Sequence, residues 1–324
     1  MTKANFQSSC KLIKDKLGFT GEKIYVADNK RGRLIAAGNW RGDKAVLKIV
    51  SLKQPRILER FEREAESDQL VRERWSGADR DLILPTRVLS WGVDLGCVWM
   101  VRLFGEGKTL SIDRRKKEDA LFDKDVIRKE FLNSPRLLIP KIGRVLRSFQ
   151  KIEVNSRERT LWNKKYPLRY PRKLDKSIKE ELGQLIGFDL SPHYQFYQNI
   201  EEHLFQDNQV GAFMGDFVPP NIIVKSNKDI SLFDFEWFGF DNKMMDIVSF
   251  WLTLWRYPSW QRVFLHYYDF NRNEKDNFRA GVIRQILLSG WVPRLVAGRQ
   301  KHQWTKYLKL SGESFEALVG TNNS

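Results

Sequence analysis

Short strand-like runs, rich in apolar residues, recur through much of the first hundred positions. Residues 23–27 and 34–39 are two such runs, and a polar segment at 28–33 separates them. A turn at 40–43 leads into a third run at 44–50. Strand-like runs separated by short polar segments favour hairpins. This part of the sequence therefore predicts an antiparallel sheet.

A long charged helix is predicted next. Pro55 precedes it, and apolar residues recur at helical spacing through residues 56–74. Two further runs, at 87–93 and 97–103, return to the strand pattern and end before Gly105. The first part of the chain is thus a small β-rich lobe with one helix.

From about residue 111 the apolar residues follow a helical spacing, with one interruption. Pro219 and Pro220 exclude a regular helix there, and apolar runs at 221–224 and 230–233 predict two short strands. The chain returns to a helical pattern after Asp246.

Together these patterns predict an α+β protein with two lobes. We expect residues 1–104 to form a small antiparallel β lobe with one helix. Residues 105–324 would form a larger, mainly helical lobe. A content of 42% hydrophobic and 13% aromatic residues is enough for a sizeable core.

The cysteines and the apolar runs indicate the cellular compartment of the protein. Cys10 and Cys97 lie in no CxxC pair, which argues against a disulfide framework and against a cysteine zinc site. Residues 1–19 lack the apolar core of a secretory signal, and no run approaches the roughly 18 apolar residues of a transmembrane helix. We therefore expect a cytoplasmic protein.

The charge of the chain favours anionic partners. The formal net charge is +16, and residues 136–176 contain thirteen Lys or Arg against three Asp or Glu. Trp162, Tyr166 and Tyr170 are interleaved with these cations. A solvated surface explains the segment as well as a binding surface does, so both interpretations stay open.

Five residues occur in the order that phosphoryl transfer requires. The reaction needs a carboxylate for the acceptor hydroxyl, oxygen ligands for Mg²⁺, and a cation that a second carboxylate holds at the phosphates. The residues that match these parts in order are Lys48, Glu64, Asp216, Asn221 and Asp234. Each has an ordinary explanation alone, but their joint spacing favours kinase chemistry.

The partner of Lys48 is left open between three carboxylates. Glu64 follows it by sixteen residues, and Glu62 and Glu66 lie on the same predicted helix. An exposed helix face with i,i+4 pairs is the ordinary explanation of this run.

Residues 215–224 resemble the catalytic loop of the aminoglycoside phosphotransferase/choline kinase-like family. Residues 232–237 resemble that family's metal-binding strand end, and Asp246 matches its downstream aspartate. The resemblance is strong over 212–250 and fair over two segments of the first lobe. It implies the protein-kinase-like fold and an ATP- and Mg²⁺-dependent kinase. By the same resemblance, residues 1–104 would be the nucleotide-binding lobe and hinge, and residues 105–324 would contain the catalytic loop and the acceptor site.

The resemblance also implies a role for each of seven residues. Those expected to act on the acceptor and the metal are the catalytic base Asp216 and the Mg²⁺ ligands Asn221 and Asp234. Those expected to bind ATP are Lys48 and Glu64, an ion pair at the phosphates, and Val101 and Leu103, which would offer backbone groups to adenine.

Three positions depart from patterns known in related kinases. Met214 stands two residues before Asp216, where the family usually has a histidine that supports the loop. Residues 28–33 do not form a GxGxxG loop. Glu236 replaces the glycine of the protein-kinase DFG motif, which fits the aminoglycoside/choline branch better.

The basic segment 136–176 bears on the acceptor. A basic surface would repel cationic aminoglycosides, so we expect an anionic small molecule, sugar or envelope glycan instead. The same composition suits docking at the inner face of a membrane. Nucleic acid is a further anionic class, which we do not favour.

Two other functions stay open. An atypical protein kinase would use the same residues, but only eleven residues separate Asp234 from Asp246, with no APE-like activation segment. A catalytically silent nucleotide- or RNA-binding module would explain the basic segment. The presence of every catalytic carboxylate argues against that module.

Overall fold

The structure of the chain is a computed structural model with a mixed α+β fold. The residues that it describes are 3–28, 32–75, 77, 80–84, 86–111, 127–168, 191–254, 257–268, 270 and 272–289. By internal contacts the chain divides into two compact units. Unit 1 comprises residues 1–108 and 223–238, and unit 2 comprises residues 109–222 and 239–324. The hairpin 223–238, which the sequence pattern assigns to the second lobe, thus groups with unit 1; the lobe boundary at 104/105 stays a prediction.

The described residues form ten strands and ten helices. The strands are β1 (Thr20–Asp28), β2 (Arg33–Trp40), β3 (Asp43–Ser51), β4 (Val88–Asp94), β5 (Cys97–Leu103), β6 (Lys108–Thr109), β7 (Val210–Phe213), β8 (Ile222–Val224), β9 (Ile230–Leu232) and β10 (Gly239–Asn242). The helices are α1 (Lys3–Leu17), α2 (Ile57–Arg74), α3 (Arg80–Ile83), α4 (Lys129–Leu132), α5 (Pro135–Gln150), α6 (Ser156–Lys165), α7 (Ser191–Leu204), α8 (Met245–Thr253), α9 (Pro258–Tyr268) and α10 (Arg272–Ser289).

Unit 1 is built on a five-stranded sheet of order β1-β2-β3-β5-β4. Every neighbouring pair is antiparallel, which confirms the sheet that the sequence predicts. Because successive side chains of a strand point to opposite faces, β3 buries Ala45, Leu47 and Ile49 on one face. Lys48 and Val50 lie on the other face. Helix α2, predicted over 56–74, is also confirmed.

Helix α1 is an element that the sequence analysis did not predict. Phe6, Cys10 and Ile13 recur at helical spacing and are buried in the same core cluster as Leu47. Trp40 donates a hydrogen bond from its indole Nε1 to the carbonyl oxygen of Leu17 at 3.0 Å. This bond satisfies a backbone acceptor at the end of the helix. In the sequence, charged residues between the apolar positions make this helix difficult to recognise.

Helix α2 covers the opposite face of the sheet. Ile57 and Phe61 form a second buried cluster with Val50, Val98 and Met100. The strands β6, β8 and β9 pair in that order, and the strand pair predicted at 221–224 and 230–233 is confirmed. Gly107 has a φ of +123°, and a Cβ there would lie 2.6 Å from the carbonyl oxygen of Val224, so this position requires glycine.

Unit 2 is mainly helical and has an aromatic core. Phe250 packs against Phe217 and Phe264 with ring centroids 5.7 and 5.6 Å apart, and Trp251 is buried as its helical spacing predicts. Strands β7 and β10 pair antiparallel, with Phe213 opposite Gly239. No helix among the described residues is both long and apolar enough to cross a membrane.

Candidate active site

Lys48 and Glu64 form a buried ion pair in unit 1. The Lys48 Nζ lies 3.0 Å from Glu64 Oε2, and the two residues are 9% and 1% exposed. The pleat of β3 turns Lys48 toward α2, where Glu64 lies on the covering face. Of the three carboxylates that the sequence left open, Glu64 is therefore the one paired with Lys48.

Two more carboxylates converge on Lys48 from the segment that follows β9. Its Nζ lies 3.9 Å from Asp234 Oδ1 and 3.5 Å from Glu236 Oε2. Glu64, Asp234 and Glu236 each offer one oxygen within 4.8 Å of the others, a spacing that a bound cation could bridge. Burial lowers the pKa of Lys48, but these carboxylates outweigh it and raise the pKa above its ordinary value.

Asp234 has the features of a metal ligand. Its Oδ1 is buried and has no hydrogen-bond partner among the described residues, and its backbone has a φ of 71°. Burial, followed by repulsion from Glu236, raises the pKa of Asp234 to about 7. An unsatisfied carboxylate oxygen beside other carboxylates fits Mg²⁺, which prefers oxygen ligands.

Glu236 is held from α2, a connection that sequence reasoning missed. Arg60 donates from Nη2 to Glu236 Oε1, and its guanidinium lies 5.0 Å from the Trp237 ring centroid. Burial acts against ionisation, but Lys48 and Arg60 together lower the pKa of Glu236 to about 2. The position of Glu236 two residues after Asp234 was the available sequence signal.

Asp216 and Asn221 are brought together in unit 2. They lie in the loop after β7, and the 3₁₀ turn Pro219–Asn221 folds the chain back. The Asn221 Nδ2 donates to the carbonyl oxygen of Asp216 at 2.8 Å and to Asp216 Oδ2 at 3.3 Å. Because the amide nitrogen of Asn221 is directed at Asp216, its Oδ1 is the atom of this side chain that could bind a cation.

Asp246 braces the same loop. Its Oδ2 accepts from the backbone N–H of Met214 at 2.6 Å, and its Oδ1 accepts from that of Gly215 at 3.1 Å. Met214 is fully buried at the position where the family usually has histidine. The Asp246 carboxylate holds the segment before Asp216 through the two backbone donors. Burial raises the pKa of Asp246 to about 7, against the effect of its two donors.

The two residues predicted to contact adenine lie in β5. Val101 pairs with Leu47 of β3, and the backbone N–H of Leu103 donates to the carbonyl oxygen of Arg87 at 2.9 Å. That donor is therefore engaged within the sheet region of unit 1. Adenine binding through these residues stays a prediction.

The described part of the basic segment, residues 136–168, lies on α5 and α6 and in the residues next to them. Arg147 donates to the carbonyl oxygen of Tyr268 at 2.6 Å, and Arg159 forms an ion pair with Asp207 at 3.1 Å. Arg159 and Lys164 also line a cavity of about 470 Å³. Tyr170 and the rest of the segment to residue 176 lie outside the described residues.

Comparison with known proteins finds a family model that matches part of the chain. A model described as the phosphotransferase enzyme family matches residues 123–280. The resemblance seen in the sequence and the enzyme class, a kinase, are thereby confirmed. No curated protein matches the sequence.

Solved structures share the fold of this phosphotransferase at low sequence identity. A thermostable mutant of aminoglycoside phosphotransferase APH(4)-Ia is 10% identical, with a TM-score of 0.56 over 96% of this chain and 98% of its own. Spectinomycin phosphotransferase APH(9)-Ia is 10% identical, with a TM-score of 0.55 and 97% coverage of both chains. Choline kinase LicA from Streptococcus pneumoniae is 14% identical, with a TM-score of 0.51 over 94% and 98%. These likenesses confirm the α+β, protein-kinase-like fold.

Proposed function

We propose that this phosphotransferase moves the γ-phosphoryl group of ATP to a hydroxyl of an anionic small molecule, sugar or envelope glycan. The main support is the buried Lys48–Glu64 pair beside the unsatisfied oxygen of Asp234. A cation fixed by one carboxylate, next to a second carboxylate suited to metal, is what a kinase needs at nucleotide phosphates.

ATP and Mg²⁺ are the proposed cofactors. The solved structure of spectinomycin phosphotransferase is a complex with ADP. Amicoumacin kinase, whose structure matches this chain with a TM-score of 0.53, was solved in complex with AMP-PNP and Ca²⁺. Lys48 binds the phosphates, and Asp234 and Asn221 supply oxygen ligands for Mg²⁺. When bound, the metal neutralises charge on the phosphate oxygens.

Asp216 is the proposed catalytic base. Its carboxylate orients the acceptor hydroxyl and takes its proton as the oxygen attacks the γ-phosphorus and the bond to the β-phosphate oxygen breaks. Asn221 fixes the loop by donating to Asp216, and Asp246 fixes it through two backbone N–H groups. Precise placement of the base is required because phosphoryl transfer depends mainly on positioning.

The proposed acceptor is small and anionic. Aminoglycoside, spectinomycin and choline in the names of the structural neighbours are small molecules, which supports the size class. The net charge of +16 and the exposed cation Lys164 at the cavity beside α6 (the α6 cavity) support the sign of the charge. Docking of the basic segment at a membrane surface belongs to the same proposal, and nucleic acid is not favoured.

The direct test uses ATP labelled on the γ-phosphoryl group, Mg²⁺ and a fractionated extract of metabolites and envelope components. We expect label in a small or lipid-linked fraction that an anion-exchange resin retains. Efficient phosphorylation of kanamycin-type compounds but of no anionic fraction would contradict the proposed acceptor class. Label in large proteins would instead favour a protein kinase.

A further inference from the structure

The Glu64 carboxylate is shared between two cations. Its Oε2 accepts from Lys48 at 3.0 Å, and its Oε1 accepts from Arg102 Nη1. Arg102 is only 7% exposed, and its Nη2 donates to the carbonyl oxygen of Thr86 at 2.9 Å. The Lys48–Glu64 pair is therefore part of a larger buried arrangement, and sequence reasoning assigned no role to Arg102.

The register of β3 and β5 explains why Arg102 reaches Glu64. Lys48 lies opposite Met100, and Val46 lies opposite Arg102, so Lys48 and Arg102 are diagonal neighbours on one sheet face. This is the face that α2 covers. Glu64 on α2 thus meets both cations.

The ion pairs continue on both sides of Glu64. Lys48 also approaches Glu236 at 3.5 Å, and Arg60 of α2 binds the other oxygen of Glu236. Charges therefore alternate without a break from Arg60 to Arg102. This chain of ion pairs connects the segment after β9 with strand β5, in which Arg102 lies between Val101 and Leu103.

Two cations on one buried carboxylate have a physical consequence. A buried charge that loses a partner is strongly destabilised, so Glu64 with Lys48 as its only partner would draw the ammonium toward itself. Arg102 satisfies the second oxygen and fixes the carboxylate plane, since it is in turn anchored at Thr86. Lys48 then keeps its charge directed at Asp234 and Glu236.

We infer that Arg102 is a positioning residue for phosphoryl transfer. It holds Glu64 from β5 and, through Glu64, sets the place of the Lys48 ammonium that binds the nucleotide phosphates. The inference rests on the proposed function, because it requires Lys48 to bind those phosphates. It also makes the Lys48–Glu64 pair a preassembled unit, tied to the sheet as well as to α2.

The test measures the affinity for Mg·ADP by calorimetry. Arg102→Met should weaken binding by about tenfold or more, and Arg102→Lys, which keeps the charge, should recover part of the loss. Arg56→Met is the control, because Arg56 forms an ion pair with Glu59 at 2.6 Å, outside this chain of ion pairs. It should change the affinity by no more than about twofold.

A double-mutant cycle separates positioning from a general loss of structure. If Arg102 acts through Glu64, Arg102→Met should add no more than about twofold to the loss that Glu64→Gln already causes. The same tenfold loss in both backgrounds, or wild-type affinity in Arg102→Met, would overturn the inference. If circular dichroism shows that Arg102→Met does not fold, Arg102→Lys takes its place in the same cycle.

The outcome is distinguishable from a failure of the proposed function. Mg·ADP binding by the wild type without transfer of label would contradict the kinase reaction, while the cycle would still decide the role of Arg102. A wild type that does not bind Mg·ADP would overturn both.

Discussion

Asp234 lies in the least favourable environment for a carboxylate among the residues of unit 1 described above. It is buried beside Glu64 and Glu236, and its Oδ1 has no hydrogen-bond partner in the described part of the chain. Such a group is retained at a cost in stability, and a bound cation is what relieves it. These features favour the proposed metal binding by Asp234 over a purely structural role.

Asp234→Asn should separate metal binding from folding. We expect Mg²⁺ to lose most of its effect on nucleotide affinity, because a carboxylate ligand becomes a neutral amide. The free energy of unfolding of the metal-free protein should stay the same or rise, since repulsion with Glu236 disappears. Calorimetry with ADP at several Mg²⁺ concentrations and a thermal unfolding scan check the two expectations.

Asp43→Asn, a change at an exposed residue at the start of β3, is the control for the loss of one negative charge. An Asp234→Asn protein whose ADP affinity responds to Mg²⁺ like that of the wild type would contradict the ligand role.

Asp246 provides a pH-dependent test of the loop brace. Its pKa is raised from the ordinary 3.8 to about 7 in the folded protein, so the native state keeps a proton that the unfolded state releases. The contribution of this group to the free energy of unfolding is therefore greatest below about pH 4 and declines as the pH rises to about 7. Chemical unfolding of the wild type and Asp246→Asn at pH 5 and 7.5 measures the difference.

The stability advantage of the wild type over Asp246→Asn should shrink between those two pH values. Both proteins carry the same other titrating groups, so the comparison isolates residue 246. An advantage that grows with pH would show that the folded protein favours the ionised carboxylate.

At the scale of the elements, helix α1 is stabilised by the packing of its apolar side chains and contains no candidate active-site residue. Phe6 is 2% exposed in the core of unit 1, whereas Leu12 on the same helix is 55% exposed. Phe6→Ala should lower the free energy of unfolding by about 3 kcal/mol or more, because it leaves a cavity. Leu12→Ala, the matched control, should stay within about 0.5 kcal/mol.

Urea unfolding at one pH measures both variants. Equal losses in Phe6→Ala and Leu12→Ala would mean that α1 does not pack on the sheet through the Phe6 face.

The strands of unit 1 and the loop at Asp216 could be predicted because local patterns determine them. Short apolar runs between polar segments identified β2 and β3, and the two prolines before Asn221 excluded a helix there. The contacts of Arg60 and Arg102 could not be predicted. They depend on strand register and on how α2 lies on the sheet, which a single sequence does not specify.

At the scale of the whole molecule, the cations of the basic segment fall into two groups. Arg147 and Arg159 donate hydrogen bonds to backbone carbonyl groups, whereas Lys164 is exposed at the α6 cavity. Charges of the first kind stabilise the fold, and charges of the second kind remain available to an anionic acceptor.

Lys164→Glu should raise the KM for the anionic acceptor fraction several-fold at low ionic strength, and added salt should reduce the difference. Lys151→Glu is the matched control, because Lys151 is an exposed cation of the same segment that does not line the cavity. Label transfer at two salt concentrations measures both. An identical KM for Lys164→Glu and the wild type would contradict acceptor binding at this cavity.

The most direct test of the central claim is transfer of γ-labelled phosphoryl from Mg·ATP by the wild type and by Asp216→Asn. We predict that the variant loses activity by about 10²-fold or more while its affinity for Mg·ADP stays within about twofold. Equal transfer by the two proteins would contradict the assignment of Asp216 as the base. No transfer by the wild type to any fraction, with Mg·ADP still bound, would contradict the kinase reaction itself.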